Sequence, residues 1–253
     1  MLLRAGTERV ATPADDVELP GAADGSAASA VSRVDGSEVA LEVSGGSAAL
    51  SALGPGLWDV SWEGGAACVD VVPWHLFALD EMREAADPGE LDGVPTARME
   101  DARERATLKL ERSCRRSFLR RTRRAKAAWR RFGGSCPLPW VDVAEVAPAP
   151  GSPAGVALEL ECDSACSVRG PAPWPVDLVA TYGLAPAPAD VRDAAVQLAL
   201  YYLRPDSRPS NAMGESTELG YMRFSIAGRD GATGLIEVDA VIGQWERRGS
   251  MIA

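Results

Sequence analysis

A chain of 253 residues, 46% hydrophobic and 25% charged, has the length for one large or two small domains and an ordinary globular balance. No apolar signal run opens it, and the longest strongly apolar stretch, 194-AAVQLALYYL-203, is about half a membrane span, so no membrane partner is expected. The net charge is −10, yet Arg112 to Arg131 hold ten basic residues and no acid, which leaves −20 on the remainder.

Residues 1–35 are rich in Ala, Gly, Ser and Asp, and much of this segment is expected to be irregular. Period-two alternation follows: Val39, Leu41 and Val43 share one face, as do Trp58, Val60 and Trp62, and then Val69 and Val71. The run 57-LWDVSWEGGAACVDVV-72 reads as a hairpin turning at Glu63-Gly64-Gly65. Short strands with glycine-rich turns suggest a small β-sandwich over 1–75, with the immunoglobulin-like type as one candidate.

Residues 78–85 predict a short helix with Asp80 and Glu81 in its first turn. A longer helix is expected over 97–118, where Met99, Ala102, Ala106, Leu110 and Cys114 recur at helical spacing and acids precede bases. Beyond it lies the rest of the basic run, Arg115, Arg116, Arg120, Arg121, Arg123, Arg124, Lys126, Arg130 and Arg131. Such a strip could face DNA or an acidic neighbouring subunit, or be a solvated helix face plus loop.

Between 133 and 188 lie ten of the eighteen prolines, which excludes long helices, and 155-GVALELEC-162 suggests an edge strand or projecting hairpin. A helix over 188–203 starts on Pro188 and lines one face with Val191, Ala194, Ala195, Leu198, Ala199 and Tyr202. The runs 219-LGYMRFSI-226 and 235-LIEVDAVI-242 both alternate, and a glycine-rich connector joins them as a hairpin or an extended arm. The organisation expected is α+β. A β-rich domain spans 1–75, a helical core 76–204 carries a Pro/Cys-rich insert at 133–175, and a C-terminal arm spans 205–253. The arm's alternating hydrophobics are expected to find cover on another chain.

Signals for chemistry are sparse. His75 is the only histidine, so any Ser–His–Asp or Cys–His arrangement would rest on it, and a histidine at a domain junction is the simpler reading. Five cysteines make no disulfide framework or zinc spacing, so no metal or cofactor is expected. Gly228, Gly231 and Gly234 match neither the dinucleotide nor the P-loop pattern. Nucleic-acid contact through 112–131, with Phe118 and Trp129 interleaved, would be nonspecific and steeply salt-dependent, since no DNA- or RNA-reading motif accompanies it.

Three stretches together resemble the head–tail connector (head-to-tail adaptor) proteins of long-tailed bacteriophages, particularly those of actinobacterial hosts. They are 57-LWDVSWEGGAACVDVVPWHLFALDEMREA-85, then 97-ARMEDARERATLKLERSCRRSFLRRTRR-124, then 176-VDLVATYGLAPAPADVRDAAVQLALYYLRPDSRP-209 with the tail 218–248. They cover a little under half the chain, and their order and spacing carry the likeness. The dense basic run after Phe118 and the 133–175 insert depart from the family's pattern.

The resemblance implies a non-catalytic virion protein at the head–tail interface, assembled in the bacterial host cytoplasm. It implies a closed, dodecameric type of ring around the DNA channel, between the portal and the next connector, stopper or tail protein, with heterologous contacts between identical subunits. It also implies portal or neighbour contacts from the C-terminal segment. Ile242 and Trp245 are expected there as apolar anchors, and Arg247 and Arg248 against an acidic rim. The alternative is a non-catalytic nucleic-acid-binding accessory protein using 112–131. An enzyme with a concealed site is the remaining one.

Overall fold

The computed structural model describes residues 8–127, 135–152, 158–162, 166–169, 175–204, 214–217, 220–223 and 232–247. The chain folds as two units, each assembled from two stretches: 1–75 with 116–186, and 76–115 with 187–253. The strands between 121 and 182, expected to interrupt the helical core, therefore belong to the unit of the N-terminal sheet.

In the sheet unit, residues 8–71 form seven strands: β1 (Glu8–Ala11), β2 (Asp16–Glu18), β3 (Ala27–Ser32), β4 (Glu38–Ser44), β5 (Ser47–Ala49), β6 (Gly56–Trp62) and β7 (Gly65–Val71). Their order is β1-β7-β6-β3-β4-β5-β2, antiparallel except for β1 against β7. Strands β1 and β2 sit at opposite ends of that order but are only four residues apart in the chain. The sheet must therefore curl until its edges approach, giving a half-barrel.

This corrects the sandwich reading, immunoglobulin-like or otherwise. Alternation reports one buried face, and a single curled sheet buries one face as completely as two stacked sheets do. The alternation itself holds in β6, where Trp58, Val60 and Trp62 are buried and Asp59 and Ser61 exposed. The hairpin to β7 also forms, with Trp62 paired to Gly65 across a two-residue loop. Both buried indoles donate to carbonyls, Trp58 Nε1 to Gly54 at 2.8 Å and Trp62 Nε1 to Pro20 at 2.9 Å. A Cβ on Gly64 would lie 2.3 Å from that Pro20 oxygen, so the turn needs glycine.

The first 35 residues were expected to be irregular, yet β1, β2 and β3 lie there. In β3 the inward positions are Ala28, Ala30 and Ser32, paired across the strand with Trp62, Val60 and Trp58. Small residues leave room for the indoles, so the strand's volume is supplied by its neighbour. Composition alone hides such a strand.

The second stretch of this unit supplies β8 (Arg121–Ala127), β9 (Ser135–Pro137), β10 (Val143–Pro148), β11 (Glu159–Cys162), β12 (Cys166–Arg169) and β13 (Val176–Tyr182). They form two three-stranded antiparallel sheets, β10-β13-β8 and β11-β12-β9. One core serves both sheets, with Cys136, Val143, Val168, Leu178 and Ala180 buried together. Trp140 stacks on Tyr182 beside it, ring centroids 4.9 Å apart. Gly183 follows β13 at φ 114°, where a Cβ would meet the Leu119 carbonyl oxygen at 2.0 Å.

The helical unit holds α1 (Leu79–Ala85), α2 (Thr96–Cys114), α3 (Ala189–Leu203), α4 (Ile236–Trp245) and a two-stranded hairpin of β14 (Gly214–Thr217) and β15 (Gly220–Arg223). Helix α2 buries the expected stripe of Met99, Ala102, Ala106, Leu110 and Cys114. It stops at Arg115, whose φ of 55° is left-handed and whose N–H returns to the Glu111 carbonyl. Helix α3 packs against α1, α2 and α4. It buries Val196, Leu200 and Leu203 beyond the expected face, whereas Tyr202 is half-buried under the Arg105 guanidinium, 4.5 Å from its ring centroid.

The final segment differs from the strand expected over 235–242, which is helical instead. Val238 and Ile242, the buried pair of α4, are four residues apart, a spacing that suits period two and period 3.6 alike. The start of α4 decides between them. The Asp239 carboxylate accepts from the Thr233 N–H at 2.8 Å, the Thr233 hydroxyl at 2.9 Å and the Gly234 N–H at 3.1 Å. Those bonds satisfy backbone donors just ahead of the helix.

Candidate interaction surfaces

Most of the basic run becomes β8, and a strand sends alternate side chains to opposite faces. Arg121 and Arg123 take one face and converge on Asp70 of β7, whose carboxylate is fully buried. Arg123 grips it with two nitrogens at 2.6 and 2.7 Å, and Arg121 Nη1 is its third donor. Arg121 also donates to the Ser117 hydroxyl at 3.1 Å. Burial, and then the like charge of Arg123, pull the Arg121 guanidinium down to about 10, still charged at neutral pH. Glu8 adds an outer carboxylate 3.5 Å from Arg123.

On the other face, Arg124 pairs with Asp177 of β13 at 2.7 Å, and Lys126 is exposed. These two, with Arg123 and with Arg33 from the β3–β4 turn, line a groove of about 420 Å³. Arg33 is itself held by both oxygens of Asp59, at 2.8 and 2.6 Å.

The expected strip is therefore split. Arg121 and Arg123 serve an internal carboxylate and are not free to meet DNA or a neighbour. Arg116 lies 3.6 Å from Asp142, Arg120 is half-buried, and Arg115 caps α2. Arg130 and Arg131 fall outside the described residues. The sequence carried no sign of Asp70, one acid among many in the N-terminal half. Nor did it pair Arg33 with the run, since that proximity depends on the sheet order.

The helical unit changes the choice of anchors. Ile242 is buried by its own unit, and the half-buried Trp245 donates its indole N–H to Asp190 at 2.8 Å. The Arg247 N–H reaches the Cys114 carbonyl at 3.0 Å, tying the end of α4 to the end of α2. The expectation that this segment is covered only by neighbours is thus corrected for 235–247, because helical pitch puts Val238 and Ile242 on one buried face of a helix that packs against α2 and α3. Arg248 lies outside the described residues.

The apolar groups that do face outward are different ones. Ile236 is 80% exposed and Tyr201 44%. They border a groove of about 430 Å³ together with Ala85, Leu200 and Leu235. Ile236 sat inside the run read as a strand, so nothing singled it out.

His75 sits 2.8 Å from Asp15, through Nε2 and Oδ2. That same oxygen accepts from the Thr12 N–H at 2.6 Å and the Thr12 hydroxyl at 2.9 Å. Burial opposes the charged Asp15, but the bonds from His75 and Thr12 outweigh it and hold the carboxyl below the usual carboxylate range. The Thr12 hydroxyl is directed at the carboxylate rather than the imidazole, so these bonds make no nucleophile–base pair. Among the described residues no group of three or more His, Cys, Asp or Glu side chains is placed to hold a metal ion. No helix among them is long and apolar enough to cross a membrane.

No family model and no curated protein matches the chain. Among solved structures, the chain is similar to one in the neck of an empty GTA particle computed with C6 symmetry, at 19% identity and a TM-score of 0.46. That match covers 70% of this chain and 93% of the other. A second, in the neck of a native GTA particle computed with C12 symmetry, shares 18% identity over 69% and 91% of the two chains, TM-score 0.45. A third, in the virion of a native gene transfer agent particle, shares 18% over 70% and 93%, TM-score 0.48. At these values the likeness carries no argument about function.

Proposed function

We propose that the chain is a structural, non-catalytic component of the neck of a phage-like particle, a ring-forming adaptor that joins the portal to the tail around the DNA channel. One observation carries this reading. The three stretches that resemble the connector family coincide with folded elements: 57–85 with β6, β7 and α1, 97–124 with α2 and the start of β8, and 176–204 with β13 and α3, while β9 to β12 fall in the insert between the last two. Each stretch of the likeness thus corresponds to strands and helices of the fold, and the departure from the family's pattern to a separate set of short strands.

In this reading identical subunits close a ring through heterologous contacts, with the portal on one side and the next connector, stopper or tail protein on the other. Ile236 and Tyr201 replace Ile242 and Trp245 as the apolar contacts, because exposed apolar side chains bordering a groove are the ones a partner can cover. Arg247 and Arg248 are retained as contacts to an acidic rim. The nucleic-acid reading loses Arg121 and Arg123 to Asp70, which removes the centre of its strip.

The test is the chain's place in a particle. Antibody labelling and electron microscopy of purified particles should find it at the head–tail junction in ring stoichiometry. Particles with complete necks that lack the chain would refute the reading.

A further inference from the structure

We infer that the basic groove of the sheet unit docks the acidic 80–92 segment of a second copy of this chain. The proposal rests on the ring reading for the identity of the partner and adds the surfaces that would meet.

The groove presents Arg33, Arg124 and Lys126 against one lining acid, Asp177, with Arg123 in its wall but committed to Asp70. Two of its guanidiniums are held by neighbouring carboxylates, Arg33 by Asp59 and Arg124 by the lining Asp177. A guanidinium has five N–H donors. The bonds to Asp59 use two of those on Arg33, and the bond to Asp177 uses one on Arg124. Each has donors left for a further carboxylate, in an orientation already set, which lowers the ordering cost of binding. Lys126 adds an exposed ammonium.

The chemistry favours a short carboxylate-bearing segment over a nucleic acid. A phosphate backbone gains affinity by neutralising many consecutive charges and releasing counterions. Here Glu8, Asp59, Asp70 and Asp177 stand among the cations and would repel a continuous polyanion. A few carboxylates need only the free N–H edges.

The chain itself carries such a segment. Residues 80–92 hold six acids and one base. Glu81 and Glu90 are engaged by Arg192 and Arg204 within the helical unit, at 2.5 and 2.6 Å. Asp80 accepts from Arg83 at 2.6 Å, whereas Glu84, Asp87 and Asp92 are exposed along α1 and the turn after it. Groove and segment are different surfaces, so a contact between copies is head-to-tail. Repeated, it either closes into a ring or runs on as a filament.

Sedimentation velocity on the full chain tests this at about 50 and about 500 mM NaCl, with circular dichroism to verify folding. The wild type should associate at low salt and weaken by about tenfold or more at high salt. Lys126→Glu should weaken association by about tenfold and Lys126→Arg should not. Asp87→Lys with Asp92→Lys should weaken it similarly, and combining those changes with Lys126→Glu should restore most of the loss. Association indifferent to salt and to the swaps would overturn the inference, as would a combination that fails to recover. A wild type that stays monomeric throughout would also overturn it, and so would Lys126-dependent binding of a short DNA duplex in place of self-association. Presence in particle necks without charge coupling sinks the inference alone, whereas absence from necks sinks the ring reading.

Discussion

In the sheet unit a fully buried carboxylate, Asp70, is enclosed with Arg121 and Arg123, whereas in the helical unit the pairs Arg192–Glu81 and Arg204–Glu90 lie near the surface. The first arrangement joins β7 to β8 across about fifty residues of sequence, and the second decorates helices that apolar stripes already hold. Charges at the surface are screened and each pair contributes roughly 0–1 kcal/mol. Charges removed from water tolerate no missing partner. The same residue types therefore mean different things in the Asp70 cluster and in these helix-surface pairs, and burial is what separates them.

The largest effect should come from breaking the buried cluster. Asp70→Asn keeps the shape but leaves two guanidiniums without their shared anion, at a cost of roughly 3–5 kcal/mol. Chemical denaturation followed by near-ultraviolet circular dichroism, which reads the packed aromatic side chains, the buried Trp58 and Trp62 among them, would measure it. Glu81→Gln in the helical unit is the comparison and should stay within about 1 kcal/mol. Equal losses for the two variants would erase the distinction drawn between the units.

The contrast between Ile242 and Ile236 comes next. Both belong to α4, one 6% and the other 80% exposed. Ile242→Ala should cost about 2–4 kcal/mol through lost burial and the cavity left behind. Ile236→Ala should change stability by no more than about 0.5 kcal/mol while weakening attachment to a partner. A thermal melt of each variant decides the first half, and co-sedimentation with portal-bearing particles the second. If Ile236→Ala melted early and attached normally, the outward reading of this helix would be wrong.

How far the sequence could be read follows from the same particulars. Helix α2 was legible because Met99, Ala102, Ala106, Leu110 and Cys114 keep a helical period; the charge order helped less, since the first turn holds no acid and only Arg112 stands in the last. The β6–β7 hairpin was legible because bulky residues alternate beside a glycine turn. Strand β3 was not, since its buried residues are Ala28, Ala30 and Ser32 and the bulk that covers them comes from β6. Helix α4 was read as a strand because spacing by four satisfies both periods, and the bonds to Asp239 that settle the matter are invisible to a pattern. Of the candidate surfaces, the basic run was conspicuous. Its division by Asp70, its meeting with Arg33 and the exposure of Ile236 depend on topology, which local patterns do not encode.

The smallest effect expected is a dependence on pH, and it concerns the edge of the half-barrel rather than its centre. Asp15 sits in the connection between β1 and β2, where one oxygen collects the bonds from Thr12 and His75. Because those bonds favour the carboxylate over the acid, its affinity for protons is lower in the folded chain than in the unfolded one. Unfolding therefore takes up a proton in acid, and stability falls as pH drops below the ordinary aspartate value of about 3.9. The contribution should be fully present above that value, and hydrogen bonds to a charged group make it about 1–2 kcal/mol. Thermal melts of wild type and Asp15→Asn from about pH 2.5 to 6 isolate it from the other carboxylates. The gap between the two curves should be widest near pH 6 and close toward the acid end. A gap that stayed constant across the range would mean that Asp15 titrates alike in both states and that its bonds to Thr12 and His75 do no more than shape the turn.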